Sequence, residues 1–199
     1  MREILLEIGI CLVVAAFLMV YHECVRLLVY MCCQRSVKCF QTSPWKVWKY
    51  IDPIGLILSL TSMVPVSRSY FFRVRDGRAN LYLGIAGLLS LIAVLVGSIA
   101  VLRIGYGGID GLNHLALTHW WDAIPPIFVQ YLALLSAGML VANLFPISTF
   151  DMGRIVAGAS PAGYLAILES DGTLKLIFVL VVLLDMIHYG VSRLLVLFL

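Results

Sequence analysis

Charge is what this 199-residue chain has least of: Asp, Glu, Lys and Arg make up 13% of it, against about 25% in ordinary soluble domains. Apolar residues fill the deficit at 62% of the chain, and the mean hydropathy is +1.01. This balance excludes a sizeable soluble domain and reads as an integral membrane protein. A surplus of one sign is missing too, since 14 Lys and Arg face 11 Asp and Glu for a net charge of +3. Those basic residues are scattered through loops, so nucleic acid is excluded as a partner and they are read as topology signals. A paired cysteine framework is also absent. Cys11, Cys24, Cys32, Cys33 and Cys39 all fall early in the chain with no CxxC pair, which points to reduced thiols. Cys32, Cys33 and Cys39 stand where juxtamembrane acylation or a metal site is conceivable, or simply where small residues end a helix. No small-residue cleavage site follows Arg2, Glu3 and Glu7, so no cleaved signal peptide is expected. Internal repeats and low-complexity segments are lacking as well.

Long apolar runs are what the chain does have. Residues 8–34 predict a membrane-crossing helix that carries His22, Glu23 and Arg26 inside it, and ionisable groups at that depth are a functional signal. A basic stretch follows, with Arg35, Lys38, Lys46 and Lys49. Residues 54–66 are apolar but too short to span, which predicts a re-entrant segment or half-helix ending near Pro65. Arg68, Arg73, Arg75 and Arg78 form a second basic stretch. Residues 81–102 predict a span with close packing at Gly84, Gly87, Ser90 and Gly97. A glycine-rich loop then holds His114, His119 and the interfacial pair Trp120 and Trp121; the two histidines are read as solvated. Residues 124–147 predict a further span broken at Pro146, residues 148–173 a polar and partly helical stretch, and residues 174–199 the last span, with Asp185, His188 and Arg193. Asp185 is read as a packed polar contact. The positive-inside rule places both basic stretches in the cytoplasm. His22, Glu23 and Asp151 then converge in the inner half of the membrane.

The first helix contains the run His22, Glu23, Cys24, Val25, Arg26, or H-E-x-x-R. In H-E-x-x-H two histidines one turn apart hold zinc while the glutamate serves as general base on the bound water. Downstream, the run from Asn143 through Pro146 to Asp151 and Gly153 ends a span in a proline turn and presents a carboxylate at the start of a new segment.

These stretches resemble the site-2 protease family, in its compact form without a PDZ domain. The family's N-x-x-P-x-x-x-x-D-G is similar to Asn143 through Gly153, with Met152 where a glycine is common. Tyr50, Ile51, Asp52, Pro53, Ile54 and Gly55 resemble its H-I-D-P-I-G, and Met63 through Val66 resemble its K-P-V-P-V hairpin. Ala86, Gly87 and Leu88 stand near its A-G-P step. The resemblance implies a single all-α membrane domain over residues 1–199, with about four transmembrane helices plus a short re-entrant segment and hairpin. It implies an intramembrane zinc metalloprotease that cleaves transmembrane segments of other proteins. His22 and Asp151 would be zinc ligands and Glu23 the base; Asn143, Tyr50, Asp52, Pro53 and Gly55 would lie near the substrate cleft, toward the cytoplasmic side.

The departure is Arg26, which stands at the second histidine position. Arginine stays protonated and has no lone pair for a metal, whereas a catalytic zinc normally keeps three protein ligands. One outcome is a salt-bridged pin in which Arg26 replaces the metal between Glu23 and Asp151. The other is a retained zinc with a substitute ligand; Cys24 should point away from His22, and the facing of His188 is open. Three functions follow: an intramembrane protease with a compensated site, a pseudoprotease that binds or regulates a transmembrane partner, and a small transporter or channel subunit using Glu23, Asp151 and Asp185.

Overall fold

The structure is a computed structural model and describes residues 2–33, 49–68, 76–108 and 120–198. The described residues form seven α-helices: α1 (Arg2–Cys33), α2 (Pro53–Ser62), α3 (Gly77–Ala100), α4 (Trp120–Asn143), α5 (Asp151–Ala159), α6 (Pro161–Leu183) and α7 (Met186–Phe198). A π-helical turn, Val101–Gly105, extends α3. There is no strand among the described residues. Three helices are long and apolar enough to cross a membrane, over Ile4–Cys33, Gly77–Gly105 and Ile124–Asn143; α6 and α7, bent by 59° at their junction, make a fourth if they cross as one. This is the architecture of a multi-pass membrane protein. Most of the basic residues between the spans, together with Cys39, His114 and His119, lie outside the described residues.

Local chemistry sets the ends of these helices. The Asp52 carboxylate accepts from the Ile54 amide at 3.1 Å, and Pro53 occupies the first helical position, where a missing N–H costs nothing. Asp76 caps α3 through the Arg78 amide at 3.0 Å, and Ser160 caps α6 through Gly163 at 3.1 Å with Pro161 next in line. At the end of α2, Met63 takes a left-handed conformation, with φ 54°, and the chain turns back on itself. The Arg68 amide then reaches the Tyr50 carbonyl at 3.2 Å. Residues 50–68 thus enter and leave at one place as a helix-and-return hairpin. Its tip is pressed against α4, because a β-carbon on Gly138 would collide with the Met63 carbonyl; its stem is equally tight, because one on Gly55 would strike the Val66 carbonyl.

Helices α1, α3 and α4 share one core, in which Val14, Leu18, Leu91, Leu135 and Met139 are fully buried. Lipid tails are as apolar as leucine, so this core holds by close packing and not by expulsion of water. The polar residues within it are satisfied locally: Ser90 donates to the Gly87 carbonyl at 2.7 Å and Ser136 to that of Ala133 at 3.0 Å. Helices α3 and α5 also approach closely, since β-carbons on Gly84 and Gly158 would come within 2.6 Å of the Asp151 and Gly77 carbonyls respectively.

The last span departs from the sequence reading. It does not begin at residue 174, because the helix starts at the Ser160 cap and runs through the polar stretch. Lys175 pairs there with Asp171 one turn before it, and Asp171 also accepts from the Ser148 amide at 3.1 Å. Nor is the span continuous: it breaks at Leu184 and Asp185, the latter at φ 56°.

Candidate functional site

The site is assembled by three elements far apart in sequence. His22, Glu23 and Arg26 come from the middle of α1, Asp151 is the first residue of α5, and Ser67 lies on the return of the hairpin. Residues 22, 23 and 26 share a face of α1 because positions three and four apart lie one above another. His22, Glu23 and Asp151 are fully buried, and Arg26 retains 2% exposure.

Asp151 is placed by its surroundings on two sides. Its backbone amide is one of the orphan donors at the start of α5 and donates to Asn143 Oδ1 at 3.4 Å. The same side chain gives its Nδ2 proton to the Met139 carbonyl at 2.9 Å. Asn143 therefore ties the end of α4 to the start of α5 across the proline turn. On the other side Gly87 leaves room for the carboxylate, with which any β-carbon there would collide.

Each group is then used. His22 Nε2 lies 2.8 Å from Asp151 Oδ2; an ionised carboxylate only accepts, so this nitrogen carries the proton and donates. His22 Nδ1 is 3.3 Å from Ser67 Oγ. Ser67 donates to Glu23 Oε1 at 2.9 Å, and Arg26 Nη1 donates to that same oxygen at 2.7 Å. Arg26 Nε lies 3.5 Å from Asp151 Oδ1. Arg154, one turn along α5 and buried, is within electrostatic reach of Arg26, Glu23 and Asp151. The carboxylates of Glu23 and Asp151 thus balance the guanidiniums of Arg26 and Arg154, as a region of low dielectric demands.

Does this donor set fit zinc? Two ligands at about 2.0 Å from a tetrahedral ion sit about 3.3 Å apart, so a small opening of the His22–Asp151 contact could admit one. The third donor is what fails. Arg26 occupies that corner with a cation, Glu23 is drawn onto Arg26, and no group of three His, Cys, Asp or Glu suited to a metal exists among the described residues. A divalent ion would also add charge to a set that already balances. The residues do not fit a catalytic zinc.

Other residues singled out by sequence sit elsewhere. Tyr50, Asp52, Pro53 and Gly55 build the entry of the hairpin, as carbonyl acceptor, cap, first helical residue and close-packing glycine. Ser67, at the far side of the same hairpin, makes its contact with Glu23 and His22. Cys24 is partly exposed. His188 bonds Asp185 at 3.2 Å, and Asp185 is half-exposed, not packed inside. Sequence reasoning passed over Ser67 and Arg154 as members of the site. The position of Arg154 one turn after Asp151 was a usable signal; Ser67, 44 residues from Glu23, offered none. Comparison of the chain with known family models, with curated proteins and with solved structures returns no match.

Proposed function

We propose that this chain is a metal-free, non-hydrolytic protein of the site-2 protease type, which receives a transmembrane segment of a partner protein in the bilayer without cutting it. The observation that carries this reading is the Arg26 guanidinium, 2.7 Å from Glu23 Oε1 and 3.5 Å from Asp151 Oδ1. Glu23 is the group that would activate water, and here it serves as an ion-pair partner. Asp151 is held between His22 and Arg26, so the cluster locks α1 to α5. The segment that binds partners, in this reading, is the hairpin, whose Ile54 and Ile57 are exposed beside the Asp52 cap. The cluster faces the cytoplasmic half of the membrane.

Elemental analysis of the purified protein tests the metal-free site. No zinc is expected in the wild type, and zinc uptake is expected in Arg26→His, which returns a neutral donor to that corner. About one zinc per wild-type chain, lost in Asp151→Ala, would overturn the reading. The binding role is tested with a synthetic single-span apolar peptide reconstituted in the same vesicles. A photoreactive residue replacing Ile57 should cross-link the uncut peptide, whereas one replacing Ile104, which is more exposed at 86%, should not. Equal cross-linking at both, or cleavage of the peptide, would refute it.

A further inference from the structure

The junction of α6 and α7 places a polar pair where lipid should be. Two neighbours fix its depth. Ser62, at the hairpin tip, donates to the Val182 carbonyl at 3.2 Å, and that tip lies against Gly138, within α4 and not at its end. At the other extreme Arg103, in the turn that extends α3, donates to the Phe198 carbonyl at 3.4 Å. Between these levels Ile187, Val191 and Leu195 are buried against the core that includes Ala133 and Ala137 of α4, so α7 runs beside a spanning helix. Its residues rise about 20 Å from Asp185 to Phe198, which sets Asp185 well inside a hydrocarbon layer about 30 Å thick.

The outward face at this depth is uncovered. Leu183, Leu184, Met186 and Tyr189 are exposed, and among them the Asp185 side chain is 52% and the His188 side chain 34% exposed. Asp185 Oδ2 and His188 Nδ1 are 3.2 Å apart. The second carboxylate oxygen and His188 Nε2 have no partner among the described residues. Ionisable groups in a spanning segment ordinarily face a protein interior or a water-filled cavity, not lipid.

We infer that this face is the contact surface for a second copy of the chain. With His188 as the imidazolium partner of the Asp185 carboxylate, Nδ1 donates within the pair and leaves one open acceptor, the second carboxylate oxygen, and one open donor, Nε2–H, a helical turn apart. A two-fold axis then sets Asp185 of one protomer against His188 of its partner, and the reverse. Both open groups are then satisfied on both protomers by the same two residues. A helix of another protein would have to supply a matching donor and acceptor at this one depth; a second copy carries them already. The surrounding leucines and Tyr189 close the contact against lipid.

The test uses the full chain in lipid nanodiscs and vesicles. The wild type should have a dimer's mass by light scattering. With all five cysteines replaced by alanine, Leu184→Cys should form a disulfide-linked dimer in vesicles, whereas Leu28→Cys, exposed on α1, should not. Asp185→His alone and His188→Asp alone should each weaken dimerisation, read by energy transfer between labelled protomers, by about tenfold or more. Mixing these two variants should restore it, because each then supplies what the other lacks. A monomeric wild type, single variants that pair as well as wild type, a mixture no better than its components, or a Leu184→Cys cross-link only to a different protein would each overturn the proposal.

Discussion

Replacing Arg26 by methionine keeps the length of the side chain and removes its charge. Glu23 then loses its 2.7 Å partner while fully buried, and what remains near its Oε1 is Ser67 at 2.9 Å and His22 Nδ1 at 3.6 Å. Leaving one member of a buried pair uncompensated costs about 3–5 kcal/mol. In a chain of this size about 2–4 °C of unfolding temperature goes with each kcal/mol, so Arg26→Met should unfold about 6–20 °C below wild type. The double variant Glu23→Gln with Arg26→Met removes both charges, and Asp151 keeps His22 at 2.8 Å and Arg154 nearby. It should recover most of the loss, since replacing a buried pair by uncharged residues of similar size is often close to neutral. The assay is thermal unfolding in detergent followed by tryptophan fluorescence, with all variants heated at one rate. An Arg26→Met midpoint within about 1 °C of wild type would show that Arg26 does not neutralise Glu23. A double variant as unstable as the single one would show that Arg26 acts through packing alone.

Other expectations follow from the same geometry. Asn143→Ala removes the tie between α4 and the first amide of α5 and should cost about 1 kcal/mol, seen as a lowered midpoint of thermal unfolding. Gly87→Val drives a side chain into the space of the Asp151 carboxylate; a loss of about 1–3 kcal/mol or more is expected, and an unchanged midpoint would contradict the close approach of α3 and α5. Asp52→Ala uncaps α2, which should speed amide exchange within residues 53–62 while leaving α4 unchanged in the same mass-spectrometric experiment. Raising salt to about 1 M should leave the Arg26→Met deficit intact, because that pair is buried, while abolishing any effect of Lys175→Ala at the half-exposed Lys175–Asp171 pair.

The sequence by itself determined that this is a helical membrane protein and located its three continuous spans, because hydrocarbon permits few backbones and demands long apolar runs. It also marked residues 54–66 as too short to cross, brought His22, Glu23 and Arg26 to attention as ionisable groups within a span, and Asp151 through the run from Asn143 to Gly153. The spacing of Glu23 and Arg26 made their pairing legible, since helix geometry alone brings residues three apart together. Tertiary structure alone decided the rest. Ser67 joins Glu23 only because the hairpin folds back, and Asp151 reaches His22 across 129 positions only because Asn143, Gly84 and Gly87 set α5 close against α3 and α4. The polar stretch after Ser160 is helical despite its charges because a cap, a proline and the Lys175–Asp171 pair support it locally. The break at Asp185 escaped the sequence for the opposite reason: an apolar run reads as one helix whether or not a residue within it turns left-handed, and that turn is made against neighbours that the pattern does not name.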